Sequence, residues 1–113
     1  MEKIVEQGLL YDFYGELLTE HQRQIYEDVV FNDMSLSEIA EEQGISRQGV
    51  YDLVKRCDKI LSGYEEKLKL VEKFNRTKKM VEEIKQLAVQ YKQSGESSLI
   101  DKIESISEEI GKL

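Results

Sequence analysis

Proline is absent from the 113 residues, and cysteine and histidine occur once each. Without proline, nothing removes a backbone donor or clashes with a preceding helical turn, so long uninterrupted helices are permitted. The lone Cys57 has no partner for an internal disulfide, which fits a reduced, cytoplasmic setting. Cys57 and His21 together cannot supply the ligands of a structural zinc site. No glycine-rich phosphate loop follows a strand pattern. No apolar run approaches the roughly 18 residues that span a bilayer. The stretch from Met1 to Gly8 also lacks the basic-then-apolar order of a signal peptide. No cofactor, catalytic constellation or membrane insertion is expected, and the chain does not read as an enzyme. The carboxylate pairs Glu41-Glu42, Glu82-Glu83 and Glu108-Glu109 are sequence neighbours on exposed faces, with no cleft implied.

What is present is charge, unevenly spread. Charged residues make up 35% of the chain against 40% hydrophobic, a globular composition rich in surface. The length allows one domain, or a small domain with a helical arm. Residues 1–45 carry two basic residues, Lys3 and Arg23, against eleven acids, a net of −9. Residues 46–80 carry ten basic residues against five acids, a net of +5, and residues 81–113 are again acidic at −3. Only the middle block has a field that attracts an anion.

Hydrophobic spacing is helical throughout. Residues 3–18 place Val5, Leu9, Leu10, Phe13, Leu17 and Leu18 on one face, with Tyr11 and Tyr14 at its edge. Gly15 marks close helix packing or an early end. Thr19 and Gln22 form a capping box for a second helix that turns Ile25, Tyr26, Val29 and Val30 inward and ends near Asn32-Asp33. His21, in its first turn, reads as an exposed polar residue. Ser35 and Glu38 form a second capping box, and Leu36, Ile39 and Ala40 face inward. Gly44 stands where a left-handed turn residue belongs, Ile45 is expected to plug the turn, and Ser46 caps a fourth helix. This is the helix-turn-helix pattern.

The fourth helix buries Val50, Leu53, Val54 and Cys57. Its stripe continues through Leu61, Tyr64, Leu68, Val71 and Phe74, with Ser62-Gly63 as the expected kink or break. Met80, Ile84, Leu87 and Tyr91 define a further helix. Ser98, with Asp101, is expected to cap a last one bearing Leu99, Ile103, Ile106, Ile110 and Leu113. The predicted fold is all-α: a helix-turn-helix domain over residues 1–60, and a helical extension over 61–113 that serves as an oligomerisation arm. A homodimer is expected, because such stripes are costly to leave in water.

At about 100° per residue, the outer face of the fourth helix carries Arg47, Gln48, Tyr51, Asp52, Lys55, Arg56 and Lys59. With Ser46, all of these but Asp52 are the candidate nucleic-acid-binding residues, since Arg and Gln near the start of a recognition helix suit bases or phosphates. Two features oppose this. Residues 1–60 carry six basic residues against thirteen acids, and Asp52 sits within the reading face. A protein-docking role therefore stands beside nucleic-acid contact. The cluster Arg76-Thr77-Lys78-Lys79 is a second candidate for RNA or phosphate, or else a solvated face in a run where Glu65 pairs with Lys69.

The run from Leu36 to Tyr51 resembles the helix-turn-helix of region 4 of bacterial sigma factors. Tyr11-Asp12-Phe13-Tyr14, Leu17-Leu18-Thr19, the run Ser46 to Asp52 and Tyr64-Glu65-Glu66-Lys67-Leu68 together resemble the YlxM family. Those are small cytoplasmic proteins of Gram-positive bacteria with a fold like sigma region 4. The resemblance covers residues 3–80, and Gly49 departs from the Ala of many members. It implies a DNA-binding or regulatory protein linked to the signal recognition particle pathway, because family genes lie beside those for the particle's GTPase and its receptor. DNA, the particle's RNA and the particle's protein components are the partners it implies. An adaptor that binds no DNA, or an RNA-binding accessory factor of the particle, is the alternative. A free-standing sigma factor does not fit, since the chain has no room for the region that binds the −10 promoter element.

Overall fold

In the computed structural model, which describes residues 2–113, six α-helices and no strand are present among those residues. They are α1 (Lys3–Tyr14), α2 (Glu20–Val30), α3 (Leu36–Gln43), α4 (Arg47–Leu68), α5 (Leu70–Ser94) and α6 (Ser97–Gly111), with a 3-10 turn at Gly15–Leu17. The chain divides into two compact units, one ending at Val71 and one starting at Glu72.

In the first unit, α1, α2 and α3 each pack on α4. Leu10 and Tyr14 of α1, Leu18 after the turn, Ile25, Tyr26 and Val30 of α2, and Ile39 and Ala40 of α3 meet Val50, Val54, Cys57 and Leu61 of α4. Each large apolar side chain taken from water is worth about 1.5–3 kcal/mol. This core reaches past position 60, because Leu61 is fully buried and Val71 closes it.

The caps form where local chemistry places them. Thr19 Oγ1 accepts from Gln22 N at 3.2 Å, and Gln22 Oε1 accepts from Thr19 N at 3.0 Å. Ser35 and Glu38 exchange the same pair of bonds. Gly15 combines both readings of its role. The α-helix ends beside it, and a Cβ there would lie 2.8 Å from the Tyr11 ring, so the close approach requires glycine.

Several expectations need correction. The face of α1 is rotated: Tyr14 is only 1% exposed, whereas Val5, Phe13 and Leu17 are exposed. Tyr14 can go inside because its hydroxyl donates to Glu65 Oε1 at 2.6 Å and accepts from Leu70 N at 3.1 Å. A buried hydroxyl with partners on both sides carries little desolvation penalty. Ile45 does not plug the turn but remains exposed. The break in the long helix is not at Ser62-Gly63, which α4 crosses without interruption, but at Lys69, in the left-handed region (φ 56°, ψ 33°). It falls there because α5 finds its first hydrogen-bond acceptors there. Glu65 Oε1 accepts from Val71 N at 3.0 Å and Tyr14 Oη from Leu70 N, satisfying donors that a helix start leaves free. Val71 stays buried beyond the break, while Leu68 and Phe74 of the same stripe are exposed.

In the second unit, Met80, Ile84 and Leu87 of α5 are half-buried, as are Ile103, Ile106 and Ile110 of α6, and Leu99 is buried. Tyr91, expected inward, is exposed. Ser98 lies inside α6 rather than capping it; Glu96 occupies the cap position, without a side-chain bond.

Three outcomes are expected in denaturation. Tyr14→Phe deprives the Leu70 amide and the Glu65 carboxylate of a partner, and urea unfolding will show a loss of about 1–3 kcal/mol with an unchanged m-value. Gly63→Ala, at a helical position with open space around the missing Cβ, will raise stability by up to about 1 kcal/mol; a loss would mean that α4 is broken there. Burial first, and then the Glu27 carboxylate, push the Tyr11 phenol up to about 12, and Tyr14 and Tyr26 are raised by the same two kinds of cause. The folded state holds these protons more tightly, so their contribution is complete below the free tyrosine value of about 10 and is lost as pH rises through the folded values. Urea midpoints that stayed flat above about pH 10 would contradict this.

Candidate nucleic-acid interface

The last turn of α3, the bend and the first turn of α4 are each fixed by backbone chemistry. Gly44 adopts φ 67°, ψ 30°, a conformation that costs glycine little. Ile45 N then donates to Ala40 O at 3.1 Å, and Ser46 Oγ accepts from Gly49 N at 2.9 Å. Val50, Val54, Cys57 and Leu61 point inward from α4. That fixes the rotation of the helix and turns the opposite face out. The Cys57 thiol is fully buried, and burial first, then Asp58, pushes its pKa up to about 11, so it is protonated at neutral pH.

The candidate residues fall into two groups. Arg47, Gln48 and Tyr51 lie together at the start of α4, where with Leu36 of α3 they line a shallow depression. Tyr51 is 45% exposed, an aromatic face open to solvent. Gln48 Nε2 donates to Asp52 Oδ1 at 3.0 Å, so the acid of the reading face is held by its neighbour one turn earlier. Ser46 stands beside this group, with its oxygen engaged as the cap and its O–H still able to donate.

Lys55, Arg56 and Lys59 form the second group, further along α4. With Lys3, Asp58 and Ser62 they line an open groove of about 570 Å³ between α1 and α4. Lys55 Nζ sits 5.5 Å from the centre of the Tyr51 ring and so links the groups. Asp58 is turned toward the core: its Oδ1 accepts from Tyr26 Oη at 2.6 Å and from Gln7 Nε2 at 2.9 Å. The Lys55 ammonium lies close enough to Lys3 to hold the Lys3 pKa below its usual value.

Sequence reasoning did not find Lys3 or Leu36. Lys3 was visible only as one of two cations in an acidic stretch, and its place beside Lys55 depends on how α1 packs on α4. Leu36, read as inward, is half-buried: it packs against the core and also lines the depression. The Arg76-Thr77-Lys78-Lys79 cluster belongs to the second unit, where Lys78 Nζ lies 5.3 Å from the centre of the Phe74 ring and Thr77 Oγ1 donates to Lys73 O at 2.8 Å. His21 is exposed in the first turn of α2. Among the described residues, no three or more His, Cys, Asp or Glu side chains gather to hold a metal ion, and no helix is long and apolar enough to cross a membrane.

Known proteins are similar to this sequence along most of its length. A family model described as "Putative helix-turn-helix protein, YlxM / p13 like" matches residues 1–104. A UPF0122 protein of Caldanaerobacter subterraneus is 56% identical over 78 residues, which cover 69% of this chain and 67% of that protein. Another, of Acetivibrio thermocellus, is 43% identical over 97% of both chains. A Bacillus cereus (strain AH187) UPF0122 protein is 41% identical over the whole of this chain and 98% of its own.

Proposed function

The chain belongs to the YlxM/p13-like helix-turn-helix family, and on that footing we propose that it is a nucleic-acid-binding regulatory protein of the signal recognition particle pathway. The observation that carries the binding role is the outer face of α4. Arg47, Gln48 and Tyr51 stand exposed at the start of the second helix of the motif, and cations from α1 and α4 line the groove beside them. In this reading the start of α4 approaches base edges, the usual position of a recognition helix, while the lysines neutralise phosphates. The link to the particle rests on the family resemblance alone; DNA and the particle's RNA are the two candidate targets. Exposed Val81, Val89 and Ile100 in the second unit support pairing of two copies, so that two recognition helices act together.

A second reading has its own support. The first 45 residues are strongly acidic, and α2 presents an open groove lined by Glu20, Arg23, Gln24 and Glu27. Such a surface suits a basic protein partner, which would make the chain an adaptor for the particle's protein components.

Fluorescence anisotropy with duplex DNA from the chain's own operon and with the particle RNA, each at two salt concentrations, separates the readings. Binding is expected to weaken steeply with salt, and the double variant Arg47→Ala, Lys55→Ala to lower both the affinity and the salt slope, by about one unit per lost phosphate contact. Unchanged binding by the double variant would rule out this face. Capture of the particle's protein subunit by the same variant, with no nucleic acid present, would favour the adaptor.

A further inference from the structure

The groove between α1 and α4 gathers four cations, Lys3, Lys55, Arg56 and Lys59, around one carboxylate, Asp58, in a chain whose net charge is −7. That carboxylate, whose Oδ1 accepts from Tyr26 and Gln7 on the core side, offsets only one of the four positive charges. Lys3 and Lys55 come from helices far apart in sequence, yet their ammonium groups repel one another across the groove. Like charges held together cost free energy that a bound anion would return. The Ser62 hydroxyl lines the same groove and adds a hydrogen-bond donor.

We infer that this groove is a phosphate-binding site in its own right, in which Lys3, Lys55 and Lys59 hold one stretch of a nucleic-acid backbone, separate from the Arg47, Gln48 and Tyr51 patch that meets the bases. The groove is open rather than enclosed, which suits a polyanion lying across it better than a buried small molecule. Its position about two to four turns along α4 from Arg47 lets the same helix contact bases at its start and backbone further on. The site rests on the nucleic-acid reading for its natural ligand, but not for its phosphate chemistry.

Two measurements on the full chain test it. In the first, inorganic tripolyphosphate is titrated while the side-chain methylene resonances of the lysines are followed by NMR. Saturable shifts are expected at Lys3, Lys55 and Lys59, with Lys85 and Lys102 in the second unit unaffected, and the depressed Lys3 titration midpoint should rise on binding. Shifts spread evenly over all lysines, or no saturation, would overturn the site. In the second, Lys3→Ala is assayed against several duplexes. Affinity should fall by a similar factor for every sequence and the salt slope by about one, whereas Gln48→Ala should alter preference among sequences. Unchanged duplex affinity in Lys3→Ala would remove Lys3 from the site and overturn the inference, while leaving the nucleic-acid reading intact. Saturable tripolyphosphate binding by a chain that binds no duplex or RNA would uphold the phosphate site and overturn the nucleic-acid reading.

Discussion

Tyr14 and Tyr26 bring whole aromatic rings into an apolar core, and each ring carries a hydroxyl that needs a partner there. Both find a carboxylate on α4, Glu65 for Tyr14 and Asp58 for Tyr26. These two bonds set the position of α1 and α2 along α4 more sharply than apolar contact alone, because apolar packing tolerates sliding and a short hydrogen bond does not. Tyr14 also stacks on Tyr64, and Tyr26 on Tyr11, so each hydroxyl is aimed by the packing of its own ring. Glu65 carries the arrangement one step further by accepting from Val71 N, so that a contact between α1 and α4 also determines where α5 begins.

The candidate interface inherits its geometry from this scaffold. A helix whose inner stripe is fixed by Val50, Val54, Cys57 and Leu61 has no freedom to rotate its outer face. Arg47, Gln48 and Tyr51 are therefore presented together, and Lys55 and Lys59 follow one and two turns later. Lys3 joins them only because α1 is held against α4. The acidic first half, which argued against nucleic-acid contact when charge was summed along the chain, places one of its two basic residues, Lys3, at this groove.

The parts of this fold legible in the sequence were those decided within a few residues. The two capping boxes, the left-handed Gly44, the Ser46 cap and the inward stripe of α4 depend on neighbours in the chain, and each stands where its residues indicated. The all-α architecture follows from the same periodicity. What could not be read was decided across the core. Gly63 is a weak helix residue by propensity, yet α4 passes through it, while Lys69, an ordinary helix former, takes the break because Glu65 and Tyr14 supply acceptors just beyond it. Tyr14 looked like an edge residue until its hydroxyl had a partner fifty-one positions away. In the same way, the outer residues of α4 were legible as a face, but their division into a patch and a groove was not, because Leu36 and Lys3 come from other helices.

Asp58 belongs to two environments at once. Its carboxylate is an anchor for the Tyr26 hydroxyl and the Gln7 amide, and it also forms part of the wall of the cationic groove. The groove therefore cannot be made more positive at this position without weakening the core behind it. Adjustment of its charge is confined to the outer residues Lys3, Lys55, Arg56 and Lys59, which leave the buried bonds untouched. In an evolving or engineered chain, those four positions are free to vary in charge, whereas Asp58 must vary, if at all, together with Tyr26.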